Sequence, residues 1–279
     1  MLEDKNVFAS LMERVGQKGS YQNMVVLISC LLTYISGGLM LMPSFLFFQD
    51  SYTCKDQLTA KACLDFVCSL DPPQRAEYLP QPPSILSVVN KFRDYHCEPE
   101  KAEVTAVQTV AYGGAILCVI FLTAMGDRIG RKYLTFINLI VLIVGVVLII
   151  LCQDMWMAGA GLFLGIFGAK NKCYLTLMFT VEIVHEGQRA FLMIVVSVFF
   201  SISGLTNVLC FFLLESFEDV LIFIYLIPSL VLAAALAIFV QDTPVSLINL
   251  YSAKEAHKSF SYMAEMNKKA DFDLTLNEL

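Results

Sequence analysis

The sequence is poor in charge. Asp, Glu, Lys and Arg make up 16% of its 279 residues against 57% hydrophobic, and mean hydropathy is +0.66. That balance excludes an ordinary soluble globule and reads as a membrane protein. Histidine is scarce too: His96, His185 and His257 are scattered over loops and tail. No grouping of Ser, His and Asp, no phosphate-binding glycine loop and no metal-ligand spacing occurs. An enzyme is not expected, nor a cofactor or a resident metal. The net charge of −6 lies largely in the tails and one loop, where it is solvated, and nothing in it points to nucleic acid. No cleavable signal peptide is expected, because about twenty polar residues precede the first apolar run.

What is present is a series of long apolar runs, and a run of about 20 residues crosses a bilayer as a helix. Six are expected, over 24–48, 104–124, 133–151, 156 to about 184, 190–214 and 220–240. The predicted fold class is an all-α membrane protein, a bundle of six transmembrane helices. Its expected divisions are a polar tail over 1–23, the bundle over 24–240 with a large loop at 49–103, and a linker with a helical tail over 241–279. Pro43 is expected to kink or end the first span, and Pro228 lies inside the sixth. Gly161, Gly165, Gly168, Lys172 and Thr176 share one face of the fourth, where small residues let another helix approach. A short amphipathic helix is expected over 7–15. A second, with Ala256, Phe260 and Met263 at helical spacing among Lys254, Lys258, Lys268 and Lys269, is expected after 252. Lys and Arg occur in both tails and in the second-to-third and fourth-to-fifth turns, and the two short opposite turns have none. The positive-inside rule then places both termini in the cytoplasm.

Cysteine divides into two groups. Cys30, Cys118, Cys152, Cys173 and Cys210 lie in or beside the apolar runs, whereas Cys54, Cys63, Cys68 and Cys97 share the loop at 49–103. This loop is expected outside, and an oxidising compartment favours two disulfides, with three pairings open. A metal site or free thiols are the other readings, but the spacings of 9, 5 and 29 match no common zinc pattern.

The turn Gly126-Asp127-Arg128-Ile129-Gly130-Arg131-Lys132 packs four charges into seven residues between the second and third runs. Any tight turn at a membrane face can carry such charges. The order Asp-Arg-x-Gly-Arg-Lys, however, resembles the signature loop between the second and third helices of the major facilitator superfamily. Thr123 stands where that family usually has Gly. Further stretches resemble its organic cation and anion transporter branch. The large loop closes on Phe92-Arg93-Asp94-Tyr95-His96-Cys97. The stretch 162–169 holds Gly165 and Gly168. Glu182-Ile183 is followed by Arg189. Gln241-Asp242-Thr243-Pro244-Val245-Ser246-Leu247 follows the sixth run, with Val245 and Ser246 in place of the usual Arg and Trp. Ala264-Glu265-Met266-Asn267 resembles the branch's short cytoplasmic helix.

The resemblance covers nearly the whole chain but only the first half of such a transporter, whose members pair two six-helix halves around a central site. It implies transport of small organic ions by alternating access, with a second half supplied from elsewhere. It also implies a cytoplasmic latch of Asp127, Arg128, Gly130, Arg131 and Lys132, with Glu182 and Arg189 as nearby partners, acting as a gate or only fixing helix ends. Lys170, Asn171 and Lys172 are the candidates for substrate contact, since a mid-membrane Lys faces a cavity or a partner, or else snorkels. The two Lys lie about 200° apart on a helix, and a cavity role for either leans toward an anionic substrate. Gln108 and Tyr112, one turn apart on the second run, either add hydrogen bonds to substrate or pack helices. The expected partners are the lipid bilayer, a small organic ion and a second half or other membrane subunits. The rival reading is a transporter-derived structural subunit of a larger membrane assembly, favoured by Thr123, Val245 and Ser246. A homodimer rebuilding both halves is less favoured. The disulfides favour the plasma membrane or secretory pathway, with an organelle membrane as the alternative.

Overall fold

The computed structural model describes residues 14–16, 19–47, 60–70, 74, 78, 88, 100–122, 125–184, 186–214, 216–244, 247 and 253–268. Most of the helix expected over 7–15 falls outside them, as do Cys54, Cys97, the 92–97 stretch, Thr123, Val245 and Ser246. Every element among the described residues is helical. In order they are α1 (Ser20–Leu41), α2 (Pro43–Leu46), α3 (Ala60–Cys68), α4 (Glu100–Leu122), α5 (Gly126–Ile129), α6 (Arg131–Ile150), α7 (Met155–Ile183), α8 (Glu186–Leu213) and α9 (Phe217–Val220). A π-helical turn (Leu221–Leu226), α10 (Ile227–Phe239) and α11 (Ala253–Met266) complete them. Apolar runs of this length adopt helices because no water reaches their backbone N–H and C=O groups inside a bilayer.

Local chemistry sets the breaks. α1 stops at Leu41 because Pro43 has no N–H to offer the turn before it, and the ring instead opens α2. Asp154 starts α7, its Oδ1 accepting the Met157 N–H at 2.6 Å. Ser216 starts α9 in the same way, accepting from the Asp219 N–H at 3.1 Å. In the sixth run, Pro228 lies just past the π-helical turn. Its missing N–H leaves the preceding turn free to widen.

Five helical stretches are long and apolar enough to cross a membrane: Ser20–Leu46, Ala102–Leu122, Arg131–Ile150, Gly187–Phe211 and Phe217–Phe239. The expected fourth run forms the 29-residue α7, whose apolar part by that measure is the shorter Met155–Lys170. Lys170 and Lys172 interrupt the run where the other five are unbroken.

α7 is the hub of the bundle. It packs on α6, α4 and α1, and α1 packs in turn on α8. The α6–α7 contact is backbone on backbone: a Cβ added to Gly145 would fall 2.4 Å from the Gly165 nitrogen, and one on Gly168 2.4 Å from the Asn138 carbonyl oxygen. The glycine face predicted on the fourth run thus has α6 as its principal neighbour. Large apolar residues point outward on α8, with Phe191 67% and Leu205 72% exposed. Such a face suits lipid or another apolar helix rather than water.

Candidate functional site

The charged turn ends where α6 begins. Gly130 has φ of 100°, a left-handed conformation that strains any residue with a Cβ. This bend aims the first N–H groups of α6 away from the turn, and they meet Asp242. The Lys132 backbone N–H donates to Asp242 Oδ1 at 2.7 Å, and the Arg131 backbone N–H donates to the same carboxylate. A carboxylate at a helix N-terminus satisfies donors that have no partner within the helix and lies at the positive end of its dipole. The fit is close, since a Cβ on Gly130 would lie 3.1 Å from Asp242 Oδ2. Burial pushes the Asp242 carboxyl above the ordinary aspartate range. The N–H and charge of Lys132, then those of Arg131, oppose that shift without cancelling it.

A second carboxylate joins the same cluster. Glu182, at the end of α7, forms an ion pair with the Arg131 guanidinium and accepts a hydrogen bond from Thr243 Oγ1 at 2.8 Å. The two ion-pair side chains are 15% and 18% exposed, neither fully wet nor sealed off. The linker after α10 is thereby held twice, through Asp242 to α6 and through Thr243 to α7. Lys132 Nζ donates to the Ala237 carbonyl of α10 at 3.3 Å.

α11 closes over the linker. Its buried Ser259 donates to the Asp242 carbonyl at 2.9 Å, while Ala256, Phe260 and Met263 turn inward. Tyr21 of α1 is fully buried against it, edge-on to Tyr262 with ring centroids 6.0 Å apart, and its hydroxyl accepts from the Gln241 N–H at 3.2 Å. Just past α11, Asn267 accepts from the Tyr21 N–H at 3.0 Å. It also donates to the Val15 and Gly16 carbonyls and to Gln22 Oε1. Both ends of the described chain and the linker therefore converge at one end of the bundle.

Of the residues expected in the latch, Arg131 and Glu182 meet, and Gly130 and Lys132 lie against Asp242. Arg189 sits on α8, its Nε donating to the Val184 carbonyl at 3.3 Å. Arg128 is exposed, and the Asp127 side chain lies outside the described residues. Of the expected substrate contacts, Lys170 is half-buried on α7 near the stacked rings of Phe163 and Phe167. The side chains of Asn171 and Lys172 lie outside the described residues. Gln108 is half-buried, and Tyr112 is exposed on the outer side of α4. Cys63 is buried on α3.

In the sequence, Asp242, Thr243 and Asn267 stand out only as members of stretches that resemble a transporter, with no role of their own, and Tyr21 does not stand out at all. For Asp242 and Thr243 a signal was there: an acidic residue and a hydroxyl directly before Pro244, in a stretch that already resembled a transporter linker. Two buried polar residues inside the apolar runs also went unremarked. Asn207 of α8 donates to the Gly38 carbonyl at 2.7 Å and accepts from the Tyr225 hydroxyl, tying α8 and the π-helical turn to α1.

A bundle of long apolar helices, closed at one end by a polar cluster and a short amphipathic helix, defines a multi-pass membrane protein of transporter type. The family model for "Sugar (and other) transporter" matches residues 22–279. The chain belongs to that family, and so to the major facilitator superfamily, whose general work is transport across membranes. No curated protein sequence matches it.

Proposed function

We propose that this chain is the N-terminal half of an alternating-access transporter for small organic ions, with the cluster around Asp242 and Glu182 as its cytoplasmic clasp. Glu182 carries the proposal, because one carboxylate joins α6, α7 and the linker through an ion pair and a hydroxyl. Contacts that are partly wet can part and re-form, since water recovers much of the cost of separating the charges. A gate between two states needs such contacts. The exposed apolar face of α8 supports a second helical bundle beside this one. Lys170 leans the substrate toward an anion, because a cation half-buried in a helix bundle is favoured by a negatively charged neighbour.

Four further features belong to this reading: α7 as the fourth of six spans, both termini in the cytoplasm, residence in the plasma membrane, and an outer loop braced by disulfides. At 29 residues α7 is long enough to span. Neither Cys63 nor Cys68 of that loop is a free thiol.

The test is uptake of a panel of organic anions and cations by cells or proteoliposomes containing the chain with its second half. Asp127→Asn and Arg131→Ala should abolish uptake while surface expression persists. Normal uptake by both variants would remove the clasp from the mechanism. The second reading, a structural subunit that moves nothing, is favoured by Val245 and Ser246 in the linker. It predicts co-purification at fixed stoichiometry with other membrane subunits and no uptake of any panel member.

A further inference from the structure

Just inside the clasp, α1, α6, α7 and α10 leave a cavity of about 20 Å³ between them, with Ser29, Leu32, Lys132, Thr135, Thr176 and Leu236 in its lining. One water molecule needs roughly 10–15 Å³ of such space, so there is room for one. Four polar side chains, Ser29, Lys132, Thr135 and Thr176, interrupt a lining that is otherwise apolar, and a buried water needs two to four such partners.

Thr176 is the informative residue. A threonine buried in a helix ordinarily turns its hydroxyl back to the carbonyl one turn earlier. Thr135 does so, donating to the Arg131 carbonyl at 2.7 Å, and Thr180 does so, donating to the Thr176 carbonyl at 2.9 Å. Thr176 is 3% exposed, yet among the described residues its Oγ1 has no hydrogen-bond partner. Across the cavity, Ser29 Oγ lies 3.0 Å from Thr180 Oγ1. The one proton of Thr180 serves the Thr176 carbonyl, so Ser29 donates in that pair and its oxygen keeps a lone pair to accept. Lys132 uses one of its three donors on the Ala237 carbonyl. The charges nearby are already matched, Lys132 by Asp242 and Arg131 by Glu182. A neutral ligand therefore fits better than an ion.

We propose that this cavity binds a single ordered water, which accepts from Lys132, donates to Ser29 and hydrogen-bonds Thr176. The water ties α1, α6 and α7 together one layer above the clasp. It requires nothing about which substrate, if any, the chain moves.

The test exploits a difference in sign. Thr176→Val keeps the shape and removes the hydroxyl. If the water is bound, the variant loses a hydrogen bond and its apparent Tm in detergent falls by about 2–4 °C, while Thr176→Ser stays close to wild type. If the cavity is dry, the valine removes an unsatisfied buried hydroxyl, and Tm holds or rises. That outcome overturns the proposal. Should Thr176→Val fail to fold, a wild-type cryo-EM map sharp enough to show ordered water decides. Density within hydrogen-bonding distance of Thr176 Oγ1 and Lys132 Nζ is expected, and its absence refutes the site.

Discussion

Asp242 accepts the Lys132 backbone N–H at 2.7 Å across 110 positions of sequence. This one bond fixes where the linker leaves the bundle and caps the helix that follows the charged turn. Its removal is the most direct test of how the clasp is built. Asp242→Ala leaves the first N–H groups of α6 unsatisfied in a part-buried site, at a cost of about 1–3 kcal/mol. Asp242→Asn keeps a carbonyl oxygen for the same donors and should recover much of the loss. Thermal unfolding of the purified protein in detergent should rank wild type and Asn above Ala. An alanine variant as stable as wild type would show that the helix start does not depend on this carboxylate.

The same residue gives a pH dependence whose sign can be worked out. Burial raises the Asp242 carboxyl above its ordinary value, so the folded chain binds that proton at a higher pH than the unfolded chain does. Where the folded state binds more protons, stability grows as pH falls. The contribution is complete below the unfolded aspartate value near ~3.9 and is lost as pH rises through the raised folded value. Asp242→Asn cannot titrate. The Tm of wild type minus that of Asp242→Asn should therefore increase on acidification toward pH ~4. A difference that stays flat or shrinks contradicts the assignment.

The α6–α7 seam should tolerate no side chain. A Cβ on Gly145 meets the backbone of both Gly161 and Gly165, 2.6 Å from the Gly161 carbonyl oxygen and 2.4 Å from the Gly165 nitrogen. Backbone cannot swing aside as a side-chain tip does. Gly145→Val should force the helices apart at a cost on the order of 3 kcal/mol or more, read as loss of the monodisperse peak in size-exclusion chromatography. Gly113 is the control. Its Cβ would meet nothing within 4 Å, so Gly113→Ala should purify like wild type.

The helices themselves were legible because a bilayer span is a property of local composition. The predicted runs and the observed elements differ mainly at their ends, as at α4, which begins at Glu100 rather than 104. The glycine face of the fourth run was legible from its period alone. That α6 would fill it was not, because period names a face and not its partner. The clasp was half legible. Arg131 and Glu182 stand out as charges beside apolar runs, whereas Asp242 looks like any acidic loop residue until packing brings a helix start to it. Asn267 is the extreme case. A polar residue after an amphipathic helix carries no sign that it will receive the Tyr21 N–H 246 positions away.

The buried link of Asn207, Tyr225 and Gly38 yields the last prediction. Tyr225 and Asn207 are both about 1% exposed, and the tyrosine hydroxyl donates to the amide oxygen while the amide nitrogen donates to the Gly38 carbonyl. In an apolar bundle neither group has water to fall back on. Tyr225→Phe orphans the Asn207 oxygen, and Asn207→Ala orphans the Tyr225 hydroxyl, so each single change leaves one buried polar group without a partner. The double variant removes both groups and leaves neither stranded. Its destabilisation should fall short of the sum of the singles by about 0.5–3 kcal/mol, the range for residues in direct contact. Unfolding of the four proteins under one set of conditions gives that coupling. Strict additivity would mean that the two side chains act independently, and that something other than their bond holds the π-helical turn against α1.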